Sequence, residues 1–231
     1  MNFKGAKMII RISCLLFAFL FTCTVNAGQT WIVIGDSIMS DVPQGTSAQH
    51  SLHLVAAEKN VMFKSLASPG SSLGHTDKTG FNSDRATAAI DLISGSWGWY
   101  NGVLIQAGTN DFGRNVPWED TVTSMRRILE RVRIDGKKAL VLDPIYRDGE
   151  DTPNALGNVL NTYRYFMWHV CTQEYADVCR FANRTNSVMG TLNNNYDSAE
   201  VVQTKRLHPN AIGHRKLADW IKLEAAAAGY F

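Results

Sequence analysis

Hydrophobic residues along this chain follow two patterns. Short apolar runs stand at Trp31-Ile32-Val33-Ile34, Val103-Leu104-Ile105 and Ala139 to Leu142, with Val61 to Ala67 a further candidate strand and Val178 to Phe181 a weaker one. Runs of that length suit strands buried on both faces of a parallel sheet. Between them, apolar positions return every three or four residues. Val122, Met125, Ile128, Leu129 and Val132 share one helical face, with Arg126, Arg127 and Arg131 turned outward. Leu156, Val159, Leu160, Tyr163, Met167, Val170 and Cys171 give the strongest helical signal. Ala211 to Ala228 predicts a closing helix with Ile212, Leu217, Trp220 and Ile221 inward. Strand and helix alternate five times, so the pattern predicts one three-layer α/β/α sandwich with about five parallel strands.

The first 27 residues break that pattern. Lys4, Lys7 and Arg11 form a positive start, Ile12 to Phe21 an apolar stretch, and Val25-Asn26-Ala27 a small-residue exit. This is the grammar of a secretory signal, with cleavage expected after Ala27. Ten apolar residues are too few to span a bilayer core, which needs about 20. The expectation is therefore a signal peptide over 1–27, an exported (periplasmic or secreted) domain over 28–231, and no transmembrane span after cleavage.

Removing the signal changes the charge. The chain of 231 residues carries 23 basic and 21 acidic side chains, a formal net charge of +2. Lys4, Lys7 and Arg11 supply three of the bases and no acid precedes Gly28, so residues 28–231 hold 20 bases against 21 acids. A nearly neutral domain argues against nucleic acid as a partner. Composition (45% hydrophobic, 19% charged) is that of a globular protein. Export also leaves Cys171 and Cys179 as the only cysteines, a candidate disulfide in an oxidising compartment. Bridging them requires the helix to stop soon after Cys171, because an unbroken helix would hold the pair about 12 Å apart. No CxxC or HExxH spacing suggests a metal.

Parallel α/β sheets place ligands at the carboxyl ends of their strands. The polar residues there are Gly35-Asp36-Ser37 after the first strand, Ser68-Pro69-Gly70-Ser71 after the second and Gly108-Thr109-Asn110-Asp111 after the third. Leu207-His208-Pro209-Asn210 stands before the last helix. Together they suggest acyl transfer. Ser37 is a candidate nucleophile and His208 its general base. The backbone N–H groups of Ser37 and Gly70 and the Asn110 amide are candidate oxyanion donors. Asp36, Asp111, Phe112 and Trp118 flank these loops and are candidates for the substrate pocket.

Four blocks carry a family resemblance: Ile34-Gly35-Asp36-Ser37-Ile38, Pro69-Gly70, Gly108-Thr109-Asn110-Asp111 and His208-Pro209-Asn210. In that order they resemble an SGNH hydrolase of the GDSL esterase/lipase superfamily, over residues 34 to 210. The resemblance implies a flavodoxin-like fold and a serine esterase with neither metal nor cofactor. It also implies the roles given above for Ser37, Gly70, Asn110 and His208. One position departs from the family. The Asp usual three residues before the His is Lys205 here, and lysine cannot accept the imidazole N–H. A backbone carbonyl, Asp197 or Glu200 would have to orient His208.

Gly70-Ser71-Ser72-Leu73-Gly74 matches G-x-S-x-G and makes Ser72 a rival nucleophile, although His75 to Gly80 after it is poor helix material. His50 and His53 read as surface residues, and Trp97, Trp99 and Tyr100 as packing. The expected function is hydrolysis of a carboxylic ester, acyl or O-acetyl, on a small-molecule, lipid or glycan substrate, by a monomer. An acyltransferase, a lysophospholipase or thioesterase, and a catalytically silent glycan-binding protein are the alternatives.

Overall fold

The computed structural model describes residues 28–40, 50–74, 85–95, 99–145, 149–183 and 208–231. Five strands form one sheet: β1 (Gln29–Ile34), β2 (Val61–Ser65), β3 (Gly102–Gln106), β4 (Lys138–Leu142) and β5 (Cys179–Ala182). All pairings are parallel, in the order β2-β1-β3-β4-β5. Among the described residues six α-helices surround them: α1 (Ser51–Lys59), α2 (Arg85–Gly95), α3 (Thr109–Gly113), α4 (Trp118–Ile134), α5 (Leu160–His169) and α6 (Ala211–Ala227). The expected α/β/α sandwich with five parallel strands is the fold observed.

Strand alternation explains the layers. Ile32, Ile34, Val103, Ile105 and Val141 point to one face, where Ile93 of α2, Val122, Met125 and Leu129 of α4 and Met167 of α5 cover them. Trp31, Val33, Leu104, Leu140 and Leu142 point to the other, under Leu52 and Val55 of α1 and Leu217, Trp220 and Ile221 of α6. β1, β3 and β4 are thus buried on both faces, which is why they read as unbroken apolar runs and not as alternating ones.

Two helix predictions need correction at their starts. The signal from Leu156 onward overshoots, because α5 begins at Leu160 and Leu156 is exposed. Asn154 holds that segment as a turn, its Oδ1 accepting from the N–H groups of Leu156 and Asn158. Ile212, expected inward, is 50% exposed at the first turn of α6, whereas Leu217, Trp220 and Ile221 are buried as expected.

Cys171 and Cys179 form a disulfide with Cα atoms 5.3 Å apart. The chain reverses as the bridge requires. After His169 it widens into a π-type turn over Val170–Glu174, then Tyr175 O accepts from Cys179 N at 2.8 Å and β5 begins. Among the described residues no helix is long and apolar enough to cross a membrane. The segments 1–27 and 184–207, including Asp197, Glu200 and Lys205, lie outside the described residues, as does Trp97.

Candidate active site

The sheet order reverses direction around β1, whose neighbours β2 and β3 lead to opposite halves of the fold. Such a switch point opens a crevice at the carboxyl ends of the strands. The loops after β1, β2 and β3 all enter it, and each is fixed by its own local chemistry.

After β1, the Asp36 carboxylate accepts from Ile38 N at 2.9 Å through Oδ1, closing a tight turn around Ser37. Its Oδ2 faces Gln106 Nε2 at 3.5 Å. Ser37 is the one half-exposed residue between Trp31 and Ser40; every other is buried. The turn therefore lifts one hydroxyl out of the core. That hydroxyl meets an imidazole: Ser37 Oγ and His208 Nε2 are 2.8 Å apart. His208 is held from the other side of its sequence, since Asn210 caps α6 by accepting from Gly213 N at 3.0 Å. Burial pushes the His208 pKa below its ordinary value.

The loop after β2 is tied to the first through Ser68 N, which donates to Gly35 O at 3.1 Å. Gly70 adopts φ +73°, a left-handed backbone that favours glycine. A Cβ there would lie 2.8 Å from a terminal nitrogen of Arg114. After β3, Asn110 stands in the first turn of α3 and its Nδ2 donates to Ser71 O at 3.1 Å.

Asp111 ties the β2 and β3 loops together. It is fully buried, and its carboxylate accepts from Leu73 N (3.1 Å), Gly74 N (2.8 Å), Gly108 N (3.2 Å) and Thr121 Oγ1 (2.9 Å). Asp36 and Asp111 were expected beside the substrate pocket. Here both carboxylates are turned into the protein and hold backbone. Phe112 is also buried, packed with Leu160 and Tyr163. Trp118 stacks on Phe166 at 3.5 Å and lines a hollow of about 300 Å³ between α4 and α5. Ser37, Gly70, Asn110 and His208 are not among that hollow's described lining residues.

Ser72 is 1% exposed, and its hydroxyl has no hydrogen-bond partner among the described residues. It sits in a loop that leads into no helix before residue 75, so the strand-turn-helix setting of a nucleophile elbow is absent there. His53 is exposed as expected, but the surface reading of His50 needs correction. His50 caps α1, its Nδ1 accepting from Leu52 N at 3.3 Å. Its Nε2 then carries the proton and donates to Ile38 O at 3.1 Å, which ties α1 to the residue after Ser37. Its ring also lies 4.6 Å from that of His214, which is buried, with its Nδ1 unpartnered among the described residues. Spacing gave no signal for this pair, because the two histidines are far apart in sequence. Among the described residues no group of three or more His, Cys, Asp or Glu side chains is arranged to hold a metal ion.

Ser37, Gly70, Asn110 and His208 are each half-exposed; Ser37 and His208 are in contact, and Gly70 and Asn110 stand on the loops after β2 and β3. A hydroxyl paired with an imidazole of lowered basicity, beside amide donors, is equipped for attack on a carbonyl carbon.

Comparison with known proteins agrees with this chemistry. The model of the GDSL-like Lipase/Acylhydrolase family matches residues 33–216. Among solved structures, the chain is similar to the psychrotrophic esterase EstA from Pseudoalteromonas sp. The two share 15% identity over 86% of this chain and 97% of that one, with a TM-score of 0.63. It is also similar to an acetyl-xylooligosaccharide esterase from Geobacillus, at 18% identity over 86% and 94% of the chains and a TM-score of 0.62. A salicylyl-acyltransferase from a tetracycline biosynthetic pathway has 17% identity over 89% of this chain and 56% of that one, with a TM-score of 0.65. At these identities the likeness is one of fold. No curated protein sequence matches the chain.

Proposed function

The chain belongs to the GDSL-like lipase/acylhydrolase family and is a carboxylic ester hydrolase of the SGNH type, and from that premise we propose that it is an exported serine esterase acting through an acyl-enzyme on Ser37. The observation that carries the reading is the 2.8 Å contact between Ser37 Oγ and His208 Nε2. His208 takes the hydroxyl proton as Ser37 attacks the ester carbonyl, and returns it to the leaving alcohol as the tetrahedral intermediate collapses. The oxyanion is held by the N–H groups of Ser37 and Gly70 and by the Asn110 amide. Water, activated by the same imidazole, then releases the acid and regenerates Ser37.

Export rests on residues 1–27, which read as a signal peptide cleaved after Ala27. Two facts support it: β1 starts at Gln29, just past that site, and the Cys171–Cys179 disulfide suits an oxidising compartment. In this reading residues 28–231 are the working domain. The substrate is a small-molecule, lipid or glycan ester, and the acetyl-xylooligosaccharide esterase among the structural neighbours makes an O-acetyl glycan one class worth assaying.

The test is turnover of p-nitrophenyl acetate against p-nitrophenyl decanoate by the protein lacking residues 1–27. Hydrolysis of either ester supports the reading, and the ratio sets the acyl length. No turnover of either would overturn it in favour of a catalytically silent binding protein.

A further inference from the structure

Arg126, Arg131, Arg133, Arg164, Arg180 and Arg215 each pair with a carboxylate at 3.0 Å or less. Arg114 differs from them. It is exposed at the C-terminal end of α3, and its guanidinium has no hydrogen-bond or ion-pair partner among the described residues. Its position is nevertheless fixed. Arg114 N donates to Asn110 O at 2.9 Å, so the residue stands one helical turn beyond the candidate oxyanion amide. Its side chain folds back over Gly70, where a terminal guanidinium nitrogen would lie 2.8 Å from any added Cβ. An always-charged fork of N–H donors thus lies against the backbone of one candidate oxyanion donor, Gly70.

Among the described residues no carboxylate pairs with it. Asp36 and Asp111 are buried, and their oxygens are aimed at Ile38, Gln106, Leu73, Gly74, Gly108 and Thr121. A guanidinium stays protonated throughout the working pH range, and its planar fork matches carboxylate and phosphate oxygens with paired, charge-assisted hydrogen bonds. We propose that Arg114 is a specificity-determining residue that binds a carboxylate or phosphate group on the ester substrate, close to the scissile bond on the Gly70 side of the crevice. The proposal rests on the esterase reading above and narrows its substrate class to anionic esters.

The test compares anionic with neutral esters of matched shape. For an anion on the alcohol side the pair is p-acetoxybenzoate and its methyl ester, with p-acetoxyphenyl phosphate as the phosphate arm. For the acyl side the pair is mono-p-nitrophenyl glutarate and p-nitrophenyl butyrate. The wild-type protein is expected to favour the anionic member of at least one pair. In Arg114→Gln that preference, taken as the ratio of kcat/KM values, falls about 10- to 100-fold, mostly through KM, as for loss of a charged hydrogen-bond pair. Arg114→Lys keeps part of it. Equal losses on anionic and neutral esters, or an unchanged ratio, would overturn the proposal. Turnover of p-nitrophenyl acetate is measured alongside. If the wild type hydrolyses no ester, the esterase reading fails by itself, and calorimetric binding of p-hydroxybenzoate and inorganic phosphate at low salt still decides the role of Arg114. Binding weakened at least tenfold in Arg114→Gln supports the anion site, and equal or absent binding in both proteins contradicts it.

Discussion

The Asn110 side-chain amide donates one N–H to the carbonyl of Ser71, at 3.1 Å. One bond thereby fixes the amide plane and pins the loop that carries Gly70. An amide nitrogen has two hydrogens, so the second remains for a substrate oxygen. Asn110→Ala is expected to lower kcat by about 10²–10³-fold, the usual effect of losing one oxyanion donor. KM should change little, because the bond strengthens mainly in the transition state. Steady-state kinetics on an activated ester reads both; a loss under threefold removes Asn110 from the mechanism.

The pH profile follows from His208. Burial disfavours its imidazolium form and pushes its pKa below the ordinary value. The general base must be neutral, so kcat/KM should rise with pH through a midpoint below about 6.5 and then level off. Lys205 bears on the same profile. If its side chain faces the imidazole, Lys205→Asp supplies an opposite charge and moves the midpoint upward. A wild-type midpoint above 7 would instead mean that a carboxylate reaches His208 from the 184–207 segment.

Burial of His214, with His50 and His208 nearby, brings its pKa down to about 4. In the unfolded chain the value is near 6.5, so between those limits the unfolded state binds more protons. Stability from this group is complete above about 6.5 and is lost as pH falls toward 4. The loss is of order 3 kcal/mol at about 1.4 kcal/mol per pH unit. Urea denaturation from pH 7 to 4 should show that slope, and His214→Phe should flatten it. An equally steep slope in the variant would assign the acid sensitivity to other groups.

Legibility in the sequence followed the range of the interactions. β1, β3 and β4 are legible as short apolar runs because both faces of the sheet are covered. The blocks around Ser37 and Asn110 are legible because each follows such a strand, and the His208 block because it directly precedes the helical pattern of α6. The start of α5 is not. Leu156 and Val159 continue the helical spacing by chance, while Asn154 closes a turn around them. Asp111 is visible as a residue of the third block, but its task is not. Three of its four donors are backbone amides, which carry no residue signature, and two of those come from Leu73 and Gly74 on another loop. His50 reads as a polar surface residue because the Ile38 carbonyl and the His214 ring that engage it are distant in sequence.

The central claim is that an acyl group passes through Ser37. The most direct test is to mix the protein with p-nitrophenyl acetate, quench it in acid within one turnover, and locate the acetyl group by peptide mass mapping. The account predicts acetylation confined to the peptide bearing Ser37, absent from Ser37→Ala and accumulating as the acyl-enzyme in the first turnover. Acetyl on Ser72, or turnover undiminished in Ser37→Ala with no acyl-protein at all, would contradict it.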